Sequence, residues 1–337
     1  MSQDKTLTFG FVGDEAVAKA LSASLEAAGF ASTDVTEADV VFTYCASLSK
    51  LEDLYYDTEG LIRSTKEQAI LVDLSPTTVS FAKELNALVS VNDRFVLDAP
   101  LVVRDVVVPD AFSRSSNVSI CVGGPEKVFK KVEGMLRACA DKVFWVGKAG
   151  SGQSMKIALT LQSAAALVGL VEAQASFATL ELDIDLEDHA DIALSLGMLT
   201  PAQEHFLQAM NEDELQGSYT IECLMGDLIA ALSSIDDGES VLPQAESGFR
   251  LVELLALVGG VSYNPAALKL VFSDEESGKR FGLDWSRAEG AYDHECSCDH
   301  DDPDHECGCS GHDEADHECV CGHDHGEEHE CCGKHHH

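Results

Sequence analysis

Short apolar runs alternate with amphipathic stretches through the first half of the chain. A β-type run at residues 6–12 ends at Gly13, and the next stretch places Val17, Leu21 and Leu25 four positions apart, on one face of a helix. Further strand-like runs occur at 31–35, 39–43, 69–74, 95–99, 118–122 and 144–146, with helical stretches such as 125–140 between them. Strands that alternate with helices over about 150 residues predict an α/β fold with a mainly parallel, doubly wound sheet.

The second half of the chain changes to helical patterning after the glycine-rich segment 147–152. Residues 153–181 contain no proline and only one glycine, Gly169, and their many Ala and Leu residues predict one helix of about eight turns. More helices are predicted at 186–196, 201–211, 219–234, 245–258 and 265–272. We therefore expect an α/β domain at residues 1–150 and an all-α domain at residues 151–290, which begins with the long interdomain helix.

The tail at residues 291–337 differs from the rest of the chain in composition. From residue 293 onwards it contains 8 of the 12 Cys and 11 of the 13 His, and the unit H-E-C-x-C begins at His294, His305 and His317, with a shortened copy at His329. It has almost no apolar residues to form a core, so it is predicted to be disordered without a ligand.

Flexible thiolate and imidazole groups predict that this tail binds transition-metal ions such as Zn or Ni. An acidic solubility tail with chance cysteines is the alternative interpretation. The predicted metal ligands are His294, Cys296, Cys298, His305, Cys307, Cys309, His317, Cys319, Cys321, His329, Cys331 and Cys332.

The charge balance argues against several classes of partner. The chain has 59 acidic against 22 basic residues, a formal net charge of -37, whereas nucleic-acid backbones and anionic membranes attract basic surfaces. No apolar run approaches the ~18–20 residues of a membrane span, and the first residues lack a signal-peptide pattern. We expect a cytoplasmic protein that binds neither nucleic acid nor membranes.

The first strand, turn and helix have the arrangement that binds dinucleotides. Gly13 and Ala18 take the first and third small-residue positions of a phosphate-binding turn, and Asp34 follows where an acid accepts hydrogen bonds from a ribose. Glu15 replaces the second glycine, and its carboxylate would crowd and repel a pyrophosphate. Gly13, Asp14, Glu15, Ala18 and Asp34 are the candidate cofactor-binding residues; a strand–turn–helix corner without a ligand is the alternative. No arginine lies near Asp34, which favours NAD over NADP.

Six short segments along the chain are similar in sequence and order to the motifs of a known family. They are GFVG at 10–13, LVDLS at 71–75, LDAP at 97–100, VGG at 122–124, GKAGSGQSMK at 147–156 and DL at 227–228. In this order they resemble the motifs of the 3-hydroxyisobutyrate dehydrogenase / 6-phosphogluconate dehydrogenase-like family of β-hydroxyacid dehydrogenases. The resemblance implies a Rossmann-like dinucleotide-binding domain followed by a helical domain.

The same resemblance implies hydride exchange between a nicotinamide cofactor and a small hydroxyacid or related carbonyl compound. Lys156 takes the position of the family's catalytic lysine, which polarises the substrate oxygen and moves the proton. Ser75 is expected to line the cofactor or substrate side of the cleft and is counted with the cofactor-binding residues, and Gly150 and Gly152 are expected to contact the substrate. The family associates through its helical domain, so a homodimer or homotetramer is expected.

Five residues, in three places along the chain, depart from the family pattern. Val102, Val103 and Arg104 replace a serine and two glycines of the substrate loop, Leu159 replaces an asparagine, and Gly226 replaces a lysine. Arg104 either anchors a substrate carboxylate or is an ordinary surface arginine. Two functions follow: an NAD(P)-dependent oxidoreductase with a metal-binding tail, or a catalytically degenerate dehydrogenase fold that stores, delivers or senses metal ions.

Overall fold

The computed structural model describes residues 7–180, 186–236 and 240–288, and the first half of this range is a sheet flanked by helices. The strands are β1 (Thr8–Gly13), β2 (Ala31–Ser32), β3 (Val40–Tyr44), β4 (Ile70–Asp73), β5 (Phe95–Asp98), β6 (Leu101–Val103), β7 (Val118–Gly123) and β8 (Lys142–Gly147). The helices between them are α1 (Glu15–Ala27), α2 (Leu48–Tyr56), α3 (Leu61–Ser64), α4 (Val79–Ser90) and α5 (Glu126–Cys139).

The strands form one sheet in the order β2-β1-β3-β4-β5-β7-β6, and β8 pairs with β7. The pairs from β2 to β5 and the pair β7–β8 are parallel. Strand β7 runs antiparallel to both β5 and β6. The predicted mainly parallel sheet is thus confirmed. The structure adds β6, whose three residues are too few to give a periodic signal.

The second predicted strand is shorter than expected, because a turn ends it at Ser32. Asp34 Oδ1 accepts hydrogen bonds from the Thr36 amide at 2.9 Å and from the Thr36 hydroxyl at 2.6 Å. The Glu37 amide then donates to the Asp34 carbonyl at 3.0 Å. This local turn leads directly into β3, so no helix intervenes between the two strands.

The second half of the described chain is helical, as predicted. Its helices are α6 (Ser151–Leu180), α7 (Leu186–Ser195), α8 (Pro201–Asn211), α9 (Ile221–Asp236), α10 (Pro243–Leu255) and α11 (Glu275–Arg280). Helix α10 ends earlier than the predicted residue 258 because a π turn at Ala256–Gly260 follows it, with Gly259 at a φ of 110°. The stretch Pro265–Phe272 is a 3₁₀ helix, started by the side chain of Asn264, which accepts from the Ala266 amide.

Helix α6 has 30 residues and packs against β7, α9 and α10. By length and composition alone its segment Ser151–Phe177 could cross a membrane, and the bent pair Pro243–Gly260 and Pro265–Phe272 would be a second such segment. The expectation that no stretch reaches this length is therefore corrected. Long core helices meet the same criterion.

The carboxyl ends of three neighbouring strands meet the start of α6. Tyr44, Asp73 and Asp98 are the last residues of β3, β4 and β5, and all three side chains are buried. Because parallel strands end at one edge of the sheet, these residues lie next to one another. The functional groups described below are at this edge. The predicted tail at 291–337 lies outside the described residues.

Candidate functional site

The turn between β1 and α1 has the backbone of a close strand–helix connection. Gly13 has a φ of 121°, and a Cβ atom added there would lie 2.0 Å from the Tyr44 carbonyl oxygen. The Asp14 amide donates to the same carbonyl at 2.8 Å. Only glycine fits this position, because a side chain would collide with the end of β3.

The first turn of α1 is capped by the carboxylate of Asp14. Its Oδ1 accepts from the Ala16 amide at 3.0 Å and from the Val17 amide at 3.1 Å. Glu15 is exposed at the first helical position, and the Ala18 amide donates to the Asp14 carbonyl. Two carboxylates therefore lie at the helix N-terminus where the sequence predicts a pyrophosphate.

Asp34 is exposed to solvent in the turn between β2 and β3. Its carboxylate is held by the amide and hydroxyl of Thr36, and the hydroxyl hydrogen bond to Thr36 lowers the pKa of Asp34 below its ordinary value. The side chain is thus ionised and oriented by its own turn. Its predicted contact with a ribose stays a prediction.

Ser75 lies inside the protein, just after β4. Its side chain is fully buried and its Oγ accepts from the Cys45 amide at 3.0 Å, while its amide donates to Asp73 Oδ1 at 3.1 Å. Thr43 Oγ1 donates to the same Asp73 oxygen at 3.2 Å. Ser75 thus ties the end of β4 to the loop after β3. Its predicted contact with a cofactor stays a prediction.

Asp73, at the centre of these hydrogen bonds, is an ionisable group with an altered pKa. It is 1% exposed, and burial raises its pKa from 3.8 to about 7 against the opposing hydrogen bonds of Ser75 and Thr43. The neighbouring carboxylate of Asp98 raises it further. Burial away from water favours the protonated form.

The predicted catalytic lysine is buried in an ion pair between two helices. Lys156 Nζ, on the second turn of α6, lies 2.5 Å from Asp227 Oδ2 on α9, and the two side chains are 8% and 6% exposed. The Tyr219 hydroxyl donates to the same Asp227 oxygen at 2.7 Å. A single carboxylate oxygen therefore accepts from both an ammonium and a phenol.

Aromatic side chains surround this group. The rings of Tyr44 and Phe112 have centroids 5.8 Å apart, and those of Phe112 and Tyr219 are 6.2 Å apart. Burial raises the pKa of both tyrosines well above the ordinary value, and it also raises the pKa of the Cys223 thiol nearby. These neighbours are neutral at pH 7, and the ion pair of Lys156 and Asp227 lies among them.

The loop that enters α6 is built around the carboxylate of Asp98. Asp98 Oδ1 accepts from the Gly150 amide at 2.9 Å, and Oδ2 accepts from the Gln153 amide at 3.1 Å. A Cβ atom added at Gly152 would lie 2.4 Å from the Asp98 carbonyl oxygen. The glycines thus let α6 begin directly against β5. Their predicted contact with a substrate stays a prediction.

Gln153 joins the helical half to the sheet. Its side chain is fully buried; Oε1 accepts from the Thr77 amide at 3.1 Å and Nε2 donates to the Ser75 carbonyl at 2.9 Å. The amide therefore fixes the loop after β4 against the first turn of α6. Sequence reasoning did not identify this residue, because a glutamine on a first helical turn is usually exposed.

A cleft of about 320 Å³ lies beside this loop, between the sheet edge and α9. Its walls include residues 46–49 after β3, residues 76–78 after β4, and Glu222, Met225, Gly226 and Ile229. Thr77 is fully buried, and its Oγ1 has no hydrogen-bond partner among the described residues. A buried hydroxyl without a partner costs stability.

Gly226 and Arg104, two of the departures from the family pattern, occupy different environments. A Cβ atom added at Gly226 would lie 2.3 Å from the Ala46 carbonyl oxygen, so α9 packs there directly on the loop after β3. Arg104 is exposed just after β6, and its amide donates to the Asn117 carbonyl at 3.0 Å. Its role as a carboxylate anchor stays a prediction.

The predicted metal ligands of the tail lie outside the described residues. Within residues 7–180, 186–236 and 240–288, no group of three or more His, Cys, Asp or Glu side chains is arranged to hold a metal ion. Metal binding therefore rests on the tail sequence.

Besides Gln153, Tyr219 and Thr77 are site residues that sequence reasoning missed. Tyr219 precedes α9 and Thr77 follows β4, and neither belongs to a quoted motif. Buried tyrosines and threonines are usually core residues, so a single sequence holds no signal for them. Asp98, by contrast, stands in the LDAP motif at 97–100.

Comparisons with known proteins find relatives for a part of this chain. Residues 3–147 match the family model for the NAD binding domain of 6-phosphogluconate dehydrogenase. An uncharacterized oxidoreductase, YkwC, of Bacillus subtilis is 30% identical over 139 residues, which are 41% of this chain and 46% of the relative. Mitochondrial 3-hydroxyisobutyrate dehydrogenase of Rattus norvegicus is 32% identical over 141 residues, which are 42% of this chain and 41% of that protein. The matches thus span less than half of these relatives.

Solved structures extend the likeness in fold to the helical half. The crystal structure of 3-hydroxyisobutyrate dehydrogenase from Salmonella typhimurium has a TM-score of 0.67 at 16% identity, over 79% of this chain and 99% of that one. The enzyme of the same name from Mycobacterium tuberculosis has a TM-score of 0.67 at 19% identity, over 80% and 100%. At these identities the likeness establishes the fold: a Rossmann-like domain followed by a helical domain.

Proposed function

We propose that this chain is an NAD(P)-dependent oxidoreductase, because residues 3–147 match the family model for the NAD binding domain of 6-phosphogluconate dehydrogenase and the chain is similar to 3-hydroxyisobutyrate dehydrogenase. It would transfer a hydride to or from a small hydroxyacid or a related carbonyl compound. The observation that carries the proposal is the buried ammonium of Lys156, held by Asp227 where α6 meets the carboxyl edge of the sheet.

The residues at this edge fit a nicotinamide dinucleotide. The amides at the N-terminus of α1 already donate hydrogen bonds to an anionic group, the carboxylate of Asp14. The same amides would suit a pyrophosphate once that side chain moves away. Asp34 would accept hydrogen bonds from the adenosine ribose, and the buried Thr77 hydroxyl beside the cleft has no partner among the described residues. When bound, the cofactor supplies or accepts the hydride. The carboxylate of Asp34 favours NAD, whose ribose has no 2′-phosphate.

Lys156 would act on the substrate oxygen. A buried ammonium stabilises the negative charge that develops on this oxygen during reduction, and Nζ can then donate a proton to it. Asp227 offsets the cost of burying the ammonium and fixes its position. The Tyr219 hydroxyl donates a hydrogen bond to the same carboxylate oxygen and so restricts the carboxylate to one orientation.

Replacing Lys156 tests this function. Calorimetric titration of NADH and NADPH into the full chain should show binding, tighter for NADH. A screen of small hydroxyacids, 3-hydroxyisobutyrate among them, should then reveal turnover that falls at least 100-fold in Lys156→Ala. The double variant Lys156→Ala/Asp227→Asn, which leaves no unpaired buried charge, should be equally inactive.

Lys148→Ala is the matched control, because Lys148 is exposed eight positions before Lys156 and should leave turnover unchanged. Full activity in folded Lys156→Ala, or no binding of either dinucleotide, would contradict the proposal.

A second candidate function rests on the tail. The repeated H-E-C-x-C unit gives thiolate and imidazole ligands at intervals of 11 and 12 residues, so two units together can complete a tetrahedral shell for Zn or Ni. In this alternative the body is a catalytically degenerate dehydrogenase fold, and the protein stores, delivers or senses metal ions. Without any Lys156-dependent turnover, metal binding by the tail would favour it.

We also propose that the protein is cytoplasmic and forms a homodimer or homotetramer through its helical domain. In support, Ile192 on α7 and Leu196 and Met198 just after it are 57%, 68% and 72% exposed, which is unusual for large apolar side chains grouped together. Light scattering on the purified chain measures the assembly directly, and a monomer would contradict it.

A further inference from the structure

The carboxylate of Asp14 occupies the N-terminus of α1. A helix begins with unpaired amides, and here the amides of Ala16 and Val17 donate to Asp14 Oδ1 at 3.0 and 3.1 Å. We propose that Asp14 is an internal competitor of the cofactor: its carboxylate and the cofactor pyrophosphate take the same amides, so the dinucleotide binds only when Asp14 leaves them. This inference rests on the proposed function.

Competition follows from the chemistry of the two groups. Both are oxyanions, and both are stabilised by the positive end of the helix dipole and by charge-assisted hydrogen bonds from its amides. They cannot share the position, because like charges repel at close range. Glu15, exposed at the next position, adds a second negative charge. The net charge of -37 further disfavours the approach of an anion.

A charged cap is not required to start a helix at this edge of the sheet. Helix α4 begins at the same edge, after β4, and is capped by the neutral hydroxyl of Thr78, which accepts from the Phe81 amide at 3.1 Å. Serine and aspartate cap helices about equally well. The negative charge of Asp14 is therefore separable from its structural role.

A cleft lies at the same edge of the sheet, beyond the ends of β3 and β4. The cleft between the sheet edge and α9 has a volume of about 320 Å³, and the fully buried Thr77 on its wall has a hydroxyl without a partner among the described residues. At α1 the pyrophosphate position is instead satisfied by the protein itself. Asp14 therefore acts on the pyrophosphate alone.

The test replaces Asp14 by serine in the full chain. Asp14→Ser keeps a capping oxygen and removes the charge. The matched control is Asp274→Ser, the same change at the cap of α11, where Asp274 Oδ1 accepts from the Ser277 amide at 2.8 Å. Three probes are titrated by calorimetry: NADH, ADP, which retains the pyrophosphate, and adenosine, which lacks it.

The expected result is a Kd for NADH and for ADP about tenfold lower in Asp14→Ser, corresponding to about 1.4 kcal/mol. Asp274→Ser should bind like the parent chain, and adenosine should bind all three proteins equally. The increase in Tm on adding NADH should likewise be larger for Asp14→Ser than for the other two proteins.

Other outcomes separate the inference from the proposed function. Equal Kd values for ADP in the parent and in Asp14→Ser overturn the competition while leaving the cofactor assignment in place. A tenfold gain for adenosine as well overturns it too, because the effect would then not involve the pyrophosphate. Binding of neither dinucleotide nor ADP to either protein overturns both. Tighter binding in Asp14→Ser without Lys156-dependent turnover supports the competition and contradicts the enzyme.

Discussion

At the scale of single residues, the carboxylates at the edge of the sheet behave differently according to their partners. Asp227 lies against the Lys156 ammonium, whereas Asp73 has hydroxyl and amide donors but no cation, so burial raises its pKa to about 7. Asp98 accepts backbone amides from the start of α6, yet burial also raises its pKa. Hydrogen bonds without an opposite charge do not fully offset desolvation.

Asp73 makes stability depend on pH. The unfolded chain releases this proton near pH 3.8 and the folded chain near pH 7, so the free energy of unfolding falls as pH rises between these values, by up to about 4 kcal/mol. Asp73→Asn keeps an oxygen that accepts from the Ser75 amide and cannot ionise. Urea unfolding at pH 5 and pH 8 should therefore show a smaller difference in Asp73→Asn than in the parent chain.

Asp53→Asn, an exposed change on α2, is the control for that measurement and should leave the difference unaltered. An equal pH dependence in Asp73→Asn and in the parent chain would show that Asp73 is ionised in the folded state at neutral pH.

At the scale of elements, the start of α6 depends on backbone contact. The helix begins within a few ångströms of β5 and β7, since a Cβ atom at Gly152 would lie 2.4 Å from the Asp98 carbonyl oxygen and 2.6 Å from that of Cys121. The middle of the same helix is open: a Cβ atom at Gly169 would have no neighbour within 4 Å. Two glycines of one helix thus have opposite environments.

This contrast gives a matched pair of variants. Gly152→Ala should lower the free energy of unfolding by more than about 2 kcal/mol, because the methyl group collides with two strand carbonyls. Gly169→Ala should raise it by about 0.5–1 kcal/mol, because alanine favours the helix and meets nothing. Chemical denaturation of both variants measures the difference. Equal stability of the two would mean that α6 can move away from the sheet without cost.

At the scale of the whole molecule, the chain combines two kinds of sequence. The body carries the hydrophobic core, and its described cysteines are buried and free. The tail carries most of the cysteine and histidine with almost no apolar residues. The two proposed functions are therefore carried by different parts of the chain and can be removed separately.

Metal analysis of a tail variant tests this division. Replacing the eight tail cysteines by serine in the full chain should abolish most Zn binding, measured by elemental analysis after dialysis, and should leave the unfolding transition of the body unchanged. The control replaces His335, His336 and His337 by alanine and should retain most of the bound metal, because the repeated unit is intact. Undiminished binding without the tail cysteines would contradict the metal assignment.

Much of the site was predictable because its residues stand in short motifs. Gly13, Asp14, Glu15 and Lys156 were all identified from position within a strand–turn–helix pattern or a glycine-rich entry to a helix. The contacts between these residues and distant segments were not predictable in this way. Tyr219 lies 63 positions after Lys156 and meets it only through Asp227, a contact that α6 and α9 create by packing. No local spacing encodes such a meeting.

The sequence by itself determined the alternation of strands and helices, the change to an all-helical half and the separate composition of the tail, because periodicity and composition are local properties. Tertiary structure decided which distant groups meet: Asp98 accepts from the amides at the start of α6, and Asp227 holds Lys156. It also added β6, which pairs with β7. Electrostatic energies depend on distance and burial in space, and these are fixed only when distant segments pack together.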